Sequence, residues 1–230
     1  MFFGRDEEIH YIMSKSTHGC LVYGGRQLGK SALLGHVART QHRPEDDQYV
    51  IRRDVKSLGN SEKASEIWTL LAGMLSPDVV RPESRTADAV SRDIRNWLAR
   101  KPHGRIICMF DEADHFMDAD TRHDYPELSR IKDLMEETGR AFNVIFAGLQ
   151  NVQRIYVQLN SPLAYLGMHI CIGPLNCTDD DKRAAHNLVV NPMRAAGSRF
   201  ETRETIEEIL AWANYYPLNR PGFTGEFVVQ

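Results

Sequence analysis

The sequence predicts an α/β protein in which a parallel β-sheet lies between two layers of helices. Short apolar runs alternate along the chain with segments whose apolar residues recur at helical spacing, and this alternation is typical of strand–helix–strand units. The runs at residues 105–110 and 142–147 are apolar at most positions, as expected of strands that are buried on both faces of a sheet. A glycine-rich stretch at residues 24–31 follows the first predicted strand and marks the candidate site.

Length and composition are those of one sizeable domain, with or without a small appendage. The chain has 230 residues, of which 42% are hydrophobic and 26% are charged. Its formal net charge of −3 gives no overall attraction to nucleic acid or anionic membranes, although it leaves room for a local basic patch. No apolar run approaches the ~18 residues that a membrane span requires, and the N-terminus lacks the form of a signal peptide. We therefore expect a cytoplasmic protein that does not engage a membrane.

Cysteines and tryptophans are expected to be structural. The cysteines form no C-x-x-C pair, and three of them lie in apolar, strand-like runs, which favours buried free thiols in a reducing compartment. These three are Cys20, Cys108 and Cys171. The tryptophans lie in helical segments, so we expect them in the core rather than against a nucleotide base. They are Trp68, Trp97 and Trp212.

In the first hundred residues, acidic residues followed by Ile9, Ile12 and Met13 predict an N-terminal helix. Runs of β-favouring residues predict strands at 20–23 and 48–53, with a helix between them that ends near residue 40. Helical spacing then recurs twice. One further helix is expected at 61–74 and another at 86–98, and Thr86 or Asp88 would cap the second of them.

The second part of the chain is predicted to continue the alternation and then to become helical. Strands are expected at 105–110, 142–147 and 169–172, and helices at 126–138, 179–189 and 202–214. Pro192 and Gly197 are expected to separate the last two helices. His115 and His123 have aspartates nearby, but their spacing fits no helix face well, so we expect a solvated loop rather than a second metal site. Asp114 is expected to cap a helix, the alternative being that it supports the metal-binding residues from behind.

The glycine-rich stretch matches the pattern G-x-x-x-x-G-K-[ST] in the context of strand, loop and helix that gives this pattern meaning. Glycines tolerate positive φ, so such a loop can turn its backbone N–H groups inward around phosphate oxygens. Lys30 would reach the β- and γ-phosphates, Ser31 would bind Mg²⁺, and the helix N-terminus would add partial positive charge. The alternative is a glycine turn that happens to precede a helix. The predicted phosphate-binding residues are Gly24, Gly25, Arg26, Gln27, Leu28, Gly29, Lys30, Ser31 and Ala32.

Two carboxylates follow the strand predicted at 105–110. Asp111 would hold Mg²⁺, usually through water, because magnesium keeps part of its hydration shell. Glu112 would point elsewhere and could polarise the water that attacks the γ-phosphate. The alternative is an acidic turn after a strand. A small basic group, Arg52, Arg53 and Lys56, matches no motif and is interpreted as a solvated strand edge.

Taken together, these residues resemble the ASCE division of P-loop ATPases, in which a glutamate follows the metal-binding aspartate. The resemblance is above all to AAA-like and STAND-type (signal-transduction ATPase) modules of bacteria, and it covers nearly the whole chain. The stretches that carry it are residues 3–8, 24–31, 110–112 and 146–154. It implies a three-layer P-loop NTPase fold with a parallel five-stranded sheet in the order 5-1-4-3-2. It further implies a core at residues 1–175 and a small helical lid at 176–230.

The resemblance also implies roles for residues outside the two central motifs. Phe3, Gly4 and Arg5 would lie near the adenine, unless they only begin the N-terminal helix. Gln150 would contact the γ-phosphate or the attacking water as a sensor, unless its amide only bonds the backbone. Arg154 would neutralise developing charge in cis. Alternatively, an arginine could serve a neighbouring subunit, and the candidates for that role are Arg130 and Arg140.

The resemblance is weakest at the C-terminal end. Tyr216 and Pro217 would lie against the adenine, unless this proline only stops a helix. The family continues with an amphipathic helix, whereas here Pro221, Gly222 and Gly225 follow closely and disfavour one. The lid is therefore expected to be incomplete.

The function implied by the resemblance is Mg²⁺-dependent ATP binding and slow hydrolysis in a nucleotide-controlled regulatory switch, with ATP and Mg²⁺ as cofactors. Its effector or sensor domains could lie outside this chain. One alternative is a ring-forming AAA+ motor that acts on DNA or protein. Another is a nucleotide-binding scaffold with little or no hydrolysis. Nucleic-acid binding and nucleotide-dependent homo-oligomers stay open from the sequence.

Overall fold

The computed structural model describes residues 2–14, 19–60, 64–148 and 168–215. Within these residues, the strands form one parallel five-stranded sheet in the order β2-β3-β4-β1-β5. This is the order 5-1-4-3-2, so the predicted fold is confirmed. The strands are β1 (Cys20–Tyr23), β2 (Gln48–Asp54), β3 (Arg105–Asp111), β4 (Phe142–Gly148) and β5 (Met168–Cys171).

Helices connect and cover the strands. Short 3-10 turns at Pro44–Asp46 and Lys56–Asn60 flank β2. No helix in the described ranges is long and apolar enough to cross a membrane. The α-helices of the described ranges are α1 (Asp6–Met13), α2 (Lys30–Gln41), α3 (Glu66–Met74), α4 (Ala87–Arg100), α5 (Asp114–Thr121), α6 (Pro126–Glu137), α7 (Asp179–Ala195) and α8 (Arg203–Trp212).

Each face of the sheet has its own core because successive side chains of a strand point to opposite faces. Phe110 and its alternate neighbours pack with α3, α4 and α6 in the larger apolar cluster. Met109 and its alternate neighbours pack with α1 and α2 on the opposite face. All seven residues of β3 are buried, as expected of a central strand with helices on both sides. The three-layer arrangement therefore follows from the continuous apolar runs.

A third, smaller apolar cluster joins α7 and α8 to the end of the sheet. Leu175, which follows β5, packs with Ala184 of α7 and with Ile206 and Leu210 of α8. The backbone of Leu175 also donates a hydrogen bond to the carbonyl of Tyr215 at 3.0 Å. These contacts give the two helices a core of their own. The division into a core at residues 1–175 and a lid at 176–230 stays a prediction.

Two predictions of local structure were wrong. The segment expected to be a solvated loop forms α5, because Phe116 and Met117 are completely buried and Asp120, three to four residues on, lies on the same helix face. Asp114 is the first residue of this helix rather than its cap, which is Ala113. The acidic residues and histidines around this short face concealed it in the sequence.

The helix expected at 179–189 continues to Ala195 and contains Pro192. A proline removes the hydrogen bond from its own missing N–H, but here it lies in the last turn. The backbone N–H of Ala196 closes that turn on the carbonyls of Pro192 and Met193 at 3.0 and 3.1 Å. The helix therefore ends after the proline, at the turn preceding Gly197.

Burial of the cysteines and tryptophans depends on the position of each element in the fold. Cys20 and Cys108 are buried as expected, and burial raises the pKa of each thiol to about 12. Cys171 is exposed because β5 is the edge strand, so its predicted burial was wrong. Trp68 and Trp97 are in the core. Trp212 is 70% exposed, also contrary to prediction, because α8 packs through its opposite face.

Asp120 connects α5 to α6 and gives a test of the fold. Its two carboxylate oxygens accept hydrogen bonds from the backbone N–H groups of Glu127 and Leu128 at 3.1 and 2.9 Å. These groups lie in the first turn of α6, where Tyr125 provides no side-chain cap. Desolvation raises the pKa of Asp120, while the two N–H donors act in the opposite direction.

Asp120→Ala should lower the free energy of unfolding by about 2–4 kcal/mol, because it leaves two buried donors without an acceptor. Chemical denaturation measures the change, with Asp133→Ala on the exposed face of α6 as the control. A loss no larger than that of the control would mean that Asp120 does not stabilise this helix start.

Candidate functional site

The glycine-rich loop leaves β1 and enters α2 at the carboxyl edge of the sheet. Gly24 has a φ of 150°, and a Cβ atom at this position would lie 2.3 Å from the carbonyl oxygen of Ile172. Gly29 has a φ of 91° and immediately precedes α2. Both glycines are therefore required by backbone geometry, one by close approach to the residue after β5 and one by a left-handed conformation.

Lys30, the first residue of α2, is held inside this loop. Only 7% of Lys30 is exposed, and its ammonium donates hydrogen bonds to the carbonyls of Gly24 and Gly25 at 2.8 and 2.7 Å. Desolvation lowers the pKa of Lys30, while the negative charges of Glu112, Asp111 and Asp114 act to raise it. Lys30 also lines one cavity together with Glu112, which follows β3, so the lysine lies near the acidic end of that strand.

The backbone turns sharply after β3 and so separates two adjacent carboxylates. Asp111 is 2% exposed, and one of its oxygens accepts the backbone N–H of Glu112 at 3.0 Å. Glu112 has a φ of 55°, a left-handed conformation that costs a non-glycine residue roughly 1–2 kcal/mol. The N–H of Ala113 then donates to the carbonyl of Ala147 in β4 at 2.9 Å, which fixes the turn. Asp111 is thereby buried, whereas Glu112 reaches a cavity.

That cavity has a volume of about 260 Å³ and lies between the glycine-rich loop and the end of β3. Larger cavities occur elsewhere, including one of about 660 Å³ between α7 and α8, so the chemistry of the lining rather than volume identifies the site. The cavity brings together loop, helix and acidic turn as the sequence predicts. Its lining residues are Arg26, Gln27, Gly29, Lys30, Ser31, Lys56 and Glu112.

Two residues of the site were missed in the sequence. Arg52 contacts one oxygen of Asp111 through both its Nη2 and its Nε, at 2.5 and 3.1 Å, and Lys56 lines the cavity. The interpretation of the basic group as a solvated strand edge is therefore wrong for Arg52, which is bonded to Asp111, whereas Arg53 and Lys56 are exposed as expected. The signal that could have found them is the strand register. β2 and β3 have equal length and both end in aspartate, so Asp54 pairs with Asp111.

The donors at this site fit a magnesium ion. In the described ranges, no group of three or more His, Cys, Asp or Glu side chains is placed to hold a metal. Magnesium needs no such group, because it is bound through one or two carboxylates together with water and phosphate oxygens. Ser31 is exposed at the start of α2, and Asp111 is the last residue of β3. These two residues would hold the ion.

The residues expected near the adenine lie against α7. A Cβ atom on Gly4 would come within 2.7 Å of the Cβ of Ala184, and Phe3 packs against the cluster that contains Leu175. Arg5 has a φ of 69°, and its guanidinium donates to Glu8 at 3.1 Å and to the carbonyl of Gly173. The segment thus joins the core to α7, and its role in base binding stays a prediction.

The remaining predicted residues divide into two groups. Arg130 and Arg140 lie at α6 or just after it, and each has a glutamate neighbour, Glu127 at 4.0 Å and Glu136 at 3.7 Å respectively. Their predicted service to a neighbouring subunit stays a prediction. The residues outside the described ranges are Gln150, Arg154, Tyr216 and Pro217.

Neither a protein-family model nor a curated protein sequence matches the chain. Solved structures do share its fold. The Walker-type ATPase PABY2304 of Pyrococcus abyssi aligns with a TM-score of 0.64 and 17% identity, over 94% of this chain and 65% of that one. The chain has the P-loop NTPase fold.

Two proteins of Aeropyrum pernix, ORC2 and ORC1, share this P-loop fold. ORC2, in ADPNP and ADP complexes, aligns with a TM-score of 0.56 and 12% identity, over 87% of this chain and 52% of that one. ORC1, in complex with DNA, aligns with a TM-score of 0.52 and 16% identity, over 95% of this chain and 58% of that one. The chain therefore spans between 52% and 65% of the length of these proteins, and at such identities the likeness concerns the fold alone.

Proposed function

We propose that this chain binds ATP with Mg²⁺ and hydrolyses it slowly, as a nucleotide-controlled regulatory switch. The observation that carries the proposal is the shared cavity in which Lys30, Ser31 and Glu112 meet. Asp111 lies beside it within electrostatic range of Lys30. A buried cation in a glycine-rich loop, a hydroxyl, a metal-binding carboxylate and a second carboxylate are the groups that phosphoryl transfer to water requires.

Each group has a distinct task in this proposal. Lys30 and the N-terminus of α2 neutralise phosphate charge, and Ser31 and Asp111 hold Mg²⁺. The bound ion would supply charge neutralisation at the phosphate oxygens. Glu112 is a carboxylate in the same cavity and would orient and polarise the attacking water. Gln150 and Arg154 would add a sensor and a cationic group from outside the described ranges.

The switch would act through the contacts of the N-terminal segment. Gly4 and Arg5 connect the phosphate-binding core to α7 and to Gly173, so a nucleotide that contacts this segment would bias the position of α7. A cavity of about 470 Å³ beside this segment is lined by several carboxylates. Carboxylates repel phosphates, so this cavity would receive the base of the nucleotide rather than its phosphates. Signals would reach domains outside this chain.

The proposal is tested by titrating a fluorescent ATP analogue with Mg²⁺ and by measuring phosphate release. Saturable binding with slow release is expected. Failure to bind would contradict the proposal. Binding without release would identify a scaffold, and nucleotide-dependent oligomers in light scattering would favour a ring-forming motor. Since ORC1 is described in complex with DNA, DNA is the first polymer to add to the assay.

Lys56→Ala should weaken ATP binding by up to about fivefold, because an exposed ion pair is worth about 0.2–1 kcal/mol. Lys56 lines the cavity with Lys30 but is exposed, so water screens it more than it screens Lys30. Equilibrium titration measures the change, with Lys101→Ala as the control because Lys101 precedes β3 at the opposite edge of the sheet. Equal affinities of the two variants for ATP would mean that Lys56 does not contribute to nucleotide binding.

A further inference from the structure

We propose that the ion pair between Arg52 and Asp111 limits how tightly the site binds Mg²⁺. The inference rests on the proposed function and deepens it, since it concerns the control of metal binding at the same site. Arg52 acts through Asp111 and is therefore a positioning residue, not a catalytic one.

Both oxygens of Asp111 already have protein donors. Arg52 donates to Oδ2 from Nη2 at 2.5 Å and from Nε at 3.1 Å. The other oxygen, Oδ1, accepts the backbone N–H of Glu112 at 3.0 Å. The Asp111 side chain is 2% exposed and the Arg52 side chain 33%, so water weakens this pair less than it weakens a surface ion pair. A metal ion has to share the carboxylate with a guanidinium that is already bonded to it.

Strand pairing holds the two residues together. β2 and β3 pair in register, with Arg52 beside Met109 and Asp54 beside Asp111. The N–H of Val55 donates to the carbonyl of Asp111 at 2.9 Å and so extends the pairing past the strand ends. Because side chains alternate along a strand, Arg52 shares a sheet face with Asp111, the face that packs against α2. The contact is thus built into the sheet.

Charge then determines the effect on the metal. Lys30 lies within electrostatic range of Asp111, Glu112 and Asp114. Arg26 and Lys56 also line the cavity, but the cation bonded to Asp111 is Arg52. Removing Arg52 would leave the Asp111 carboxylate without this positive charge at contact distance, and the site would attract a divalent cation more strongly. Arg52 therefore keeps the metal affinity of the protein low and makes it depend on the phosphates that a nucleotide brings.

The experiment compares wild type, Arg52→Gln, Arg52→Lys and the control Arg53→Gln, which removes the same charge from the exposed next residue of β2. The first readout is the ratio of the Kd of a fluorescent ATP analogue in EDTA to its Kd in Mg²⁺. The second is Mn²⁺ binding to the nucleotide-free protein, followed by the electron paramagnetic resonance signal of free Mn²⁺, because Mn²⁺ takes the same carboxylate and water ligands. Circular dichroism verifies folding.

We expect Arg52→Gln to raise the ratio and to tighten Mn²⁺ binding by at least about fivefold, the lower end of typical coupling between linked binding events. Arg52→Lys keeps the charge but cannot reproduce the contact through two nitrogens, so it should lie between wild type and Arg52→Gln. Arg53→Gln should match wild type. Unchanged or weaker metal binding in Arg52→Gln would overturn the proposal.

The remaining outcomes are also decisive. If Arg52→Gln does not fold, a ratio for Arg52→Lys above that of wild type supports the proposal, and one at or below wild type overturns it. If wild type binds no nucleotide, the proposed function fails, while the Mn²⁺ comparison still decides the role of Arg52.

Discussion

Replacing Lys30 by alanine should weaken ATP binding about 10- to 150-fold, since a hydrogen bond to a charged group is worth about 1.5–3 kcal/mol. Lys30 is almost completely buried, and the loop carbonyls of Gly24 and Gly25 fix its ammonium beside the cavity. A phosphate in that cavity would be bound by a preorganised, desolvated cation, for which water is a poor substitute. Titration with a fluorescent ATP analogue in Mg²⁺ measures the loss.

Lys101→Ala is the matched control for Lys30→Ala. It removes a lysine that pairs with Asp47 at 3.0 Å on the surface, where such pairs contribute little. Thermal unfolding of both variants separates loss of the site from loss of the fold. If Lys30→Ala were folded and bound ATP as well as Lys101→Ala, phosphate binding at the glycine-rich loop would be wrong.

The sequence predicted the sheet, the loop and the acidic pair because each depends on local patterns. Continuous apolar runs identify buried strands wherever they lie along the chain. The glycine-rich loop is recognised because its pattern stands between a predicted strand and a predicted helix. The strand order itself came from the resemblance to a family, since no local pattern specifies which strands are adjacent. The order then placed Asp111 near Lys30.

What the sequence did not predict depends on contacts between distant segments. The partner of Arg52 is 59 positions away, and it becomes visible only when β2 and β3 are set side by side. The exposure of Cys171 depends on which strand lies at the edge of the sheet, and that of Trp212 depends on which face of α8 packs against the rest of the protein. Buried, paired and exposed positions can carry the same residue types, so periodicity alone does not separate them.

The second large effect is expected for Glu112→Gln, which should keep ATP binding and lose hydrolysis. The substitution preserves the shape of the side chain and the left-handed backbone at this position, but it replaces a carboxylate by an amide that cannot accept a proton. A positioned general base contributes about 10²–10⁴-fold to a rate. Phosphate release should therefore fall by about that factor, while the Kd for ATP stays within about threefold of wild type because metal binding depends on Asp111 rather than on Glu112.

Single-turnover hydrolysis with enzyme in excess distinguishes a chemical defect from slow product release in Glu112→Gln. Glu66→Gln, on the exposed surface of α3, is the control for the change of charge and should hydrolyse ATP like wild type. Unchanged turnover in Glu112→Gln would exclude Glu112 as the base. Loss of binding together with hydrolysis would instead mean that the carboxylate maintains the shape of the site. Retained binding with lost turnover is the result that separates a switch that hydrolyses its nucleotide from a scaffold that only holds it, because a scaffold has no turnover for Glu112→Gln to remove.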